Sequence, residues 1–148
     1  MNTFTAVFSV SAVLAITTGS ALAGPEVRVT FKNLGNDAAI YSPQDSNQFA
    51  TQNNASPTPS KKVEADATDF YTVQSLISPL VNYAHVRYVM GNKSCEFLTS
   101  FVSTLGFAGA TIPKWNHSAT PSGGATCTIR STGIRFSDYS WSVEMTMR

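Results

Sequence analysis

Apolar and polar residues alternate with a period of two along most of this chain. Across residues 26–33, Val27, Val29 and Phe31 fall on one side and Arg28, Thr30 and Lys32 on the other. That is the pattern of a strand with one buried face. The alternation returns in 82–90, where Ala84, Val86, Tyr88 and Met90 oppose Tyr83, His85 and Arg87. It continues through 94–102, with Cys95, Phe97, Thr99 and Phe101 on one face, and through 125–130, with Ala125, Cys127 and Ile129. The last instance is 141–147, where Trp141, Val143, Met145 and Met147 share a side. Gly91-Asn92-Lys93 has the composition of a tight turn, so 82–90 and 94–102 are expected to form an antiparallel hairpin. Residues 38–41, 61–67 and 70–76 read as shorter strands, and the small-residue stretch 105–112 as a loosely packed strand or a loop.

Two stretches break the pattern. Ser42 to Ser60 is rich in Asn, Gln, Ser and Thr, holds Pro43, Pro57 and Pro59, and reads as a long polar loop with room for a short edge strand. Pro113 to Gly124 reads as a second loop. No segment of 24–148 shows a helical period. The elements together predict an all-β fold: an antiparallel β-sandwich, or a flattened barrel, of about eight short strands.

The first residues are of another kind. Val7 to Ile16 is apolar apart from Ser9 and Ser11, and Ala21-Leu22-Ala23 follows. This is the apolar core and small-residue cleavage site of a secretory signal peptide, too short to span a bilayer comfortably. The expected organisation is a signal peptide at 1–23 and a single β-sandwich domain at 24–148, secreted or periplasmic, with no transmembrane segment in the mature chain. Export gives Cys95 and Cys127 an oxidising compartment, and two cysteines allow one pairing. Each lies on the apolar face of its strand, so a buried disulfide in the core is expected.

Charge narrows the partners. Ten Lys and Arg against nine Asp and Glu give a net charge of +1, with the two signs interspersed. No basic stripe suits a polyanion, so nucleic acid is not expected. No cofactor motif is present, and no C-x-x-C or H-x-x-x-H spacing marks a metal site. No G-x-S-x-G marks a hydrolase.

Two groups of residues remain as binding candidates. Tyr83, His85 and Arg87 project side by side from the polar face of their strand, an aromatic, a titratable ring and a guanidinium fork suited to an oxyanion. Lys114, Trp115 and His117 lie in the second loop, where a rigid aromatic between Pro113 and Pro121 suits a ligand contact, with Trp115 expected to be solvent-accessible. The first functional expectation is a non-enzymatic binding protein that engages another protein through loops or a sheet face, of inhibitor, adhesion or immunity type. The second is a carbohydrate- or membrane-binding sandwich, lectin-like or a toxin component. The third is a small hydrolase built from His85 and His117 with Lys114.

Overall fold

A computed structural model describes residues 23–148. The segment read as a signal peptide therefore lies outside the described residues, save Ala23. The rest is a β-sandwich of two five-stranded sheets. In chain order the elements are β1 (Val27–Asn33), β2 (Ala39–Tyr41), α1 (Ser46–Asn53), β3 (Ala55–Ser56), β4 (Lys62–Val63), β5 (Thr68–Val73), β6 (Val81–Met90), β7 (Lys93–Leu105), β8 (Thr111–Ser122), β9 (Cys127–Ile134) and β10 (Trp141–Met147). The first sheet runs β3-β5-β1-β10-β9 and the second β4-β2-β6-β7-β8. Every pairing is antiparallel except β1 with β10, which is parallel.

The alternation dictates the core. Val27, Val29 and Phe31 of β1, Val86 and Tyr88 of β6, Phe97 and Phe101 of β7, and Val143, Met145 and Met147 of β10 meet between the sheets, all nearly inaccessible to water. Phe31 stacks on Tyr88 across the two sheets, and Tyr71 and Tyr88 share a hydroxyl contact at 3.2 Å. The expected hairpin is β6–β7, in continuous register from Val81↔Val102 to Met90↔Lys93. Gly91 turns it at φ +58°, a conformation that costs a residue without Cβ little.

The expected disulfide is present. Cys95 on β7 and Cys127 on β9 have Cα atoms 5.7 Å apart, so the bridge joins the two sheets. A loop of this length corresponds to about 3–4 kcal/mol in the chain-entropy model.

Two expected loops are regular structure instead. Within 42–60, residues 46–53 form α1, with Asp45 as N-cap accepting from the Gln48 N–H at 2.9 Å. No apolar period announced it, because the side chains that α1 buries are the polar Gln48 and Thr51. Gln48 accepts the Gln44 N–H through Oε1 at 2.8 Å, and Thr51 Oγ1 accepts the His85 N–H of β6 at 2.9 Å. The helix is held by hydrogen bonds where most are held by an apolar stripe. The edge strand β3 follows it directly. The second expected loop is most of β8, paired with β7 from Ser94↔Ser122 to Leu105↔Thr111. As an outer strand it tolerates Pro113 and Pro121, which have no N–H to give a ladder.

Candidate functional site

Three surfaces bear on function. The first is the outer face of β6. Tyr83, His85 and Arg87 do project together, but the segment around α1 covers them. Tyr83 Oη donates to Asn47 Oδ1 at 3.4 Å and Arg87 Nη1 to Ser42 Oγ at 3.4 Å. The His85 ring lies between two carboxylates, its Nε2 at 2.7 Å from Glu96 Oε1 of β7 and its Nδ1 at 3.7 Å from Asp45 Oδ1. The stripe read as an open oxyanion surface is thus the seat of a helix, with carboxylates already around its imidazole.

The second surface is β8. Alternation along a strand sends Lys114 to the outer face, while Trp115 and His117 point to the side facing the other sheet. The three do not form one cluster. Trp115 is half-buried: its indole packs on Phe101 at 5.4 Å and Phe136 at 5.7 Å between ring centroids. Its N–H donates to the Tyr139 carbonyl at 3.2 Å. His117 is exposed and stands opposite Thr99, whereas His85 stands opposite Leu98. Successive residues of β7 face opposite ways, so the two histidines lie on opposite sides of the second sheet. The histidine pair required by the hydrolase reading does not converge.

The third surface carries no residue singled out in the sequence, and it is the most unusual. The starts of β1, β6, β8 and β10 and the ends of β5, β7 and β9 come together at one end of the sandwich. Val27 is level with Val73 and Trp141, Trp141 with Ile134, Val81 with Val102, and Leu105 with Thr111. Three loops therefore crown this end: 74–80, 106–110 and 135–140. Exposed apolar side chains cover it. Phe107 is 98% exposed, Ile77 90% and Leu105 80%, and Leu76, Leu80, Ile112 and Phe136 are each more than half exposed. No Lys, Arg, His, Asp or Glu occurs from 70 to 84 or from 97 to 113. Arg135 and Asp138 in the third loop pair with each other at 3.4 Å.

These loops are braced from below. Asn82, buried at the start of β6, donates through Nδ2 to the carbonyls of Pro25 at 2.6 Å and Val73 at 2.9 Å. Its Oδ1 accepts the Ser75 N–H at 3.0 Å. The Gly24 N–H donates to the Ser75 carbonyl at 2.8 Å, and the Ser103 N–H to the Leu80 carbonyl at 2.8 Å. Phe101 and Trp115 of the strands join Phe136 and Tyr139 of the third loop in a connected aromatic group. At the tip of the β7–β8 connection Ala108 and Gly109 take φ +57° and +78°. The left-handed conformation at Ala108 costs about 1–2 kcal/mol, and the tight tip leaves Phe107 projecting into water.

The sequence did contain a signal for this end: two long charge-free stretches, each with apolar residues in a turn where polar ones are usual. No known protein-family model matches the chain, and no curated protein matches it.

Proposed function

We propose that this is an exported, non-enzymatic β-sandwich that docks on a lipid bilayer surface, dipping the loops 74–80 and 106–110 into the interface. The observation that carries the reading is the exposure of Phe107 and Ile77 on loops with no charge, and of Leu105 at the end of β7 beside them. Apolar groups held this far into water are unusual on a soluble domain, and contiguous ones mark an interaction surface. The Ala21-Leu22-Ala23 signature supports an exported location, where such a surface meets membranes or cell envelopes.

The residue types favour lipid over a protein partner. Hot spots for proteins are enriched in Trp, Tyr and Arg, which supply hydrogen bonds as well as area. Here the tips are Phe, Leu and Ile. The amphipathic Trp115 and Tyr139 are half-buried against the core behind the loop tips, and Lys114 lies on the outer face of β8. Apolar tips with aromatics and cations behind them are the pattern of interfacial proteins. Because the tips carry no charge, binding to zwitterionic vesicles needs no anionic lipid and is insensitive to salt.

Flotation with phosphatidylcholine vesicles tests the reading. The protein should float with the vesicles, and Phe107→Ser should weaken partitioning about ten- to a hundredfold, since burying a Phe contributes about 1.5–3 kcal/mol and 1.4 kcal/mol is a factor of ten. The melting temperature should not change, because Phe107 touches little of the fold. A protein that stays at the bottom of the gradient with neutral and anionic vesicles alike contradicts it.

A further inference from the structure

The residues around His85 form a second site, remote from the loops and independent of the lipid reading. Asp45 precedes α1, His85 lies on β6 and Glu96 on β7, so three separate elements converge. One oxygen from each carboxylate and one ring nitrogen lie within 4.8 Å of one another. The imidazole is largely enclosed, with 12% of its side chain exposed, while both carboxylates are about half open to water.

The charge at this place is unbalanced. Two carboxylates face one imidazole, which supplies at most a single positive charge. Among the described residues neither Asp45 nor Glu96 has a Lys or Arg within ion-pair distance. Arg87 stands across from Glu96 in the ladder, yet its guanidinium reaches toward Ser42 Oγ. The other side chain on this face, Tyr83, is engaged with Asn47. A local excess of negative charge remains beside a ring nitrogen whose lone pair becomes available when the ring is neutral.

We infer that Asp45, His85 and Glu96 form a binding site for a divalent transition-metal ion of the zinc class. Oxygen-only sites favour calcium and magnesium, whereas an imidazole in the set selects the borderline metals. Three protein ligands leave a further position for water. The separation of 3.7 Å between Asp45 Oδ1 and His85 Nδ1 is close to the spacing of neighbouring ligands around such an ion, and Glu96, which stands at Nε2 at 2.7 Å, must swing toward the Nδ1 side to complete the set. The ion takes the lone pair of Nδ1, so a proton on that nitrogen leaves to water while the neutral ring keeps its other proton on Nε2. The bound ion would tie the N-terminus of α1 to the second sheet, adding an ionic link to an attachment that includes hydrogen bonds through Thr51, Tyr83 and Tyr41.

Isothermal titration of the metal-stripped protein with zinc chloride, with thermal melting in parallel, tests this. One zinc ion per chain should bind, and Tm should climb with the logarithm of zinc concentration. His85→Ala should abolish the site, and Asp45→Asn, which keeps an N-cap acceptor, should weaken it at least tenfold. Glu96→Gln should do the same. His117→Ala, on the opposite side of the sheet, should bind zinc as the parent does. Should His85→Ala misfold, the Asn and Gln variants carry the test. The proposal is overturned by absent heat and unchanged Tm at millimolar zinc, by binding that neither Asp45→Asn nor Glu96→Gln alters, or by calcium binding as tightly as zinc.

Discussion

The two ends of the sandwich are built on opposite principles. At one end the connections are 34–38, 91–92 and 123–126, short and polar, with Asp37, Lys93 and Arg148 around them. This end is tied covalently: the Cys95–Cys127 bridge lies close to the β6–β7 turn, and the backbones of Thr126 and Arg148 exchange two hydrogen bonds at 2.8 and 2.9 Å. At the other end the connections are charge-free or internally paired, their apolar side chains face water, and the first loop is held by hydrogen bonds alone, with the side chain of Asn82 at their centre. Strand registry makes both ends equally, so the difference lies in what the loops hold. One end closes the fold; the other presents side chains that the fold does not use. Loops on a rigid scaffold are where binding groups are tolerated.

The largest effect that distinguishes the ends should come from the bridge. Replacing both Cys95 and Cys127 with Ala should cost about 3–4 kcal/mol in chemical denaturation. It should leave vesicle partitioning unchanged, because the loop end lies at the far side of the sandwich. A loss of partitioning in the still-folded variant would show that the ends are coupled.

Asn82→Ala comes next. It removes both partners of Nδ2 and the acceptor of the Ser75 N–H, leaving buried polar backbone groups unsatisfied, at about 2–3 kcal/mol. Hydrogen exchange should accelerate at Ser75 and neighbouring amides and stay slow around Cys95. Uniform acceleration across both ends would mean that Asn82 supports the whole fold and is no brace for one set of loops.

Alkaline pH should strike the half of the core toward the polar end, where Tyr41, Tyr71 and Tyr88 meet Phe31. Burial holds the phenols of Tyr71 and Tyr88 well above 10.0 and pushes Tyr41 up to about 12. The folded state keeps these groups neutral while the unfolded state ionises them near pH 10. Stability is therefore intact below pH 10 and falls above it, by about 1.4 kcal/mol per pH unit for each proton that only the folded state retains. Tyr88→Phe should reduce this slope. An unchanged slope would place the titration elsewhere.

Much of this architecture was legible in the chain. The alternation in 26–33, 82–90, 94–102 and 141–147 marked the core strands and their inward residues, and it put both cysteines on buried faces. What escaped did so for physical reasons. α1 buries Gln48 and Thr51, so its packing leaves no apolar period. β8 is an outer strand with two prolines, and its one large apolar inward residue, Trp115, looks like a loop aromatic when pairing is unknown. The juxtaposition of Asp45 with His85 and Glu96 depends on where α1 lands and could not be read from spacing. The apolar end was visible as composition, in the missing charges from 70 to 84 and from 97 to 113, but only registry shows that the two stretches crown the same end.

Tryptophan fluorescence with bromine-labelled lipids tests the central claim most directly. Phe107→Trp places a reporter at the tip of the lipid-facing loops, and Leu34→Trp places one at the polar end, each read against the emission of Trp115 and Trp141 in the unsubstituted protein. Added to vesicles of brominated phosphatidylcholine, the Phe107→Trp protein should shift its emission to the blue and be quenched, while the Leu34→Trp protein should keep its emission unchanged apart from the native background. Equal quenching at both positions, or none at either, would contradict the assignment of one end of the sandwich to the bilayer.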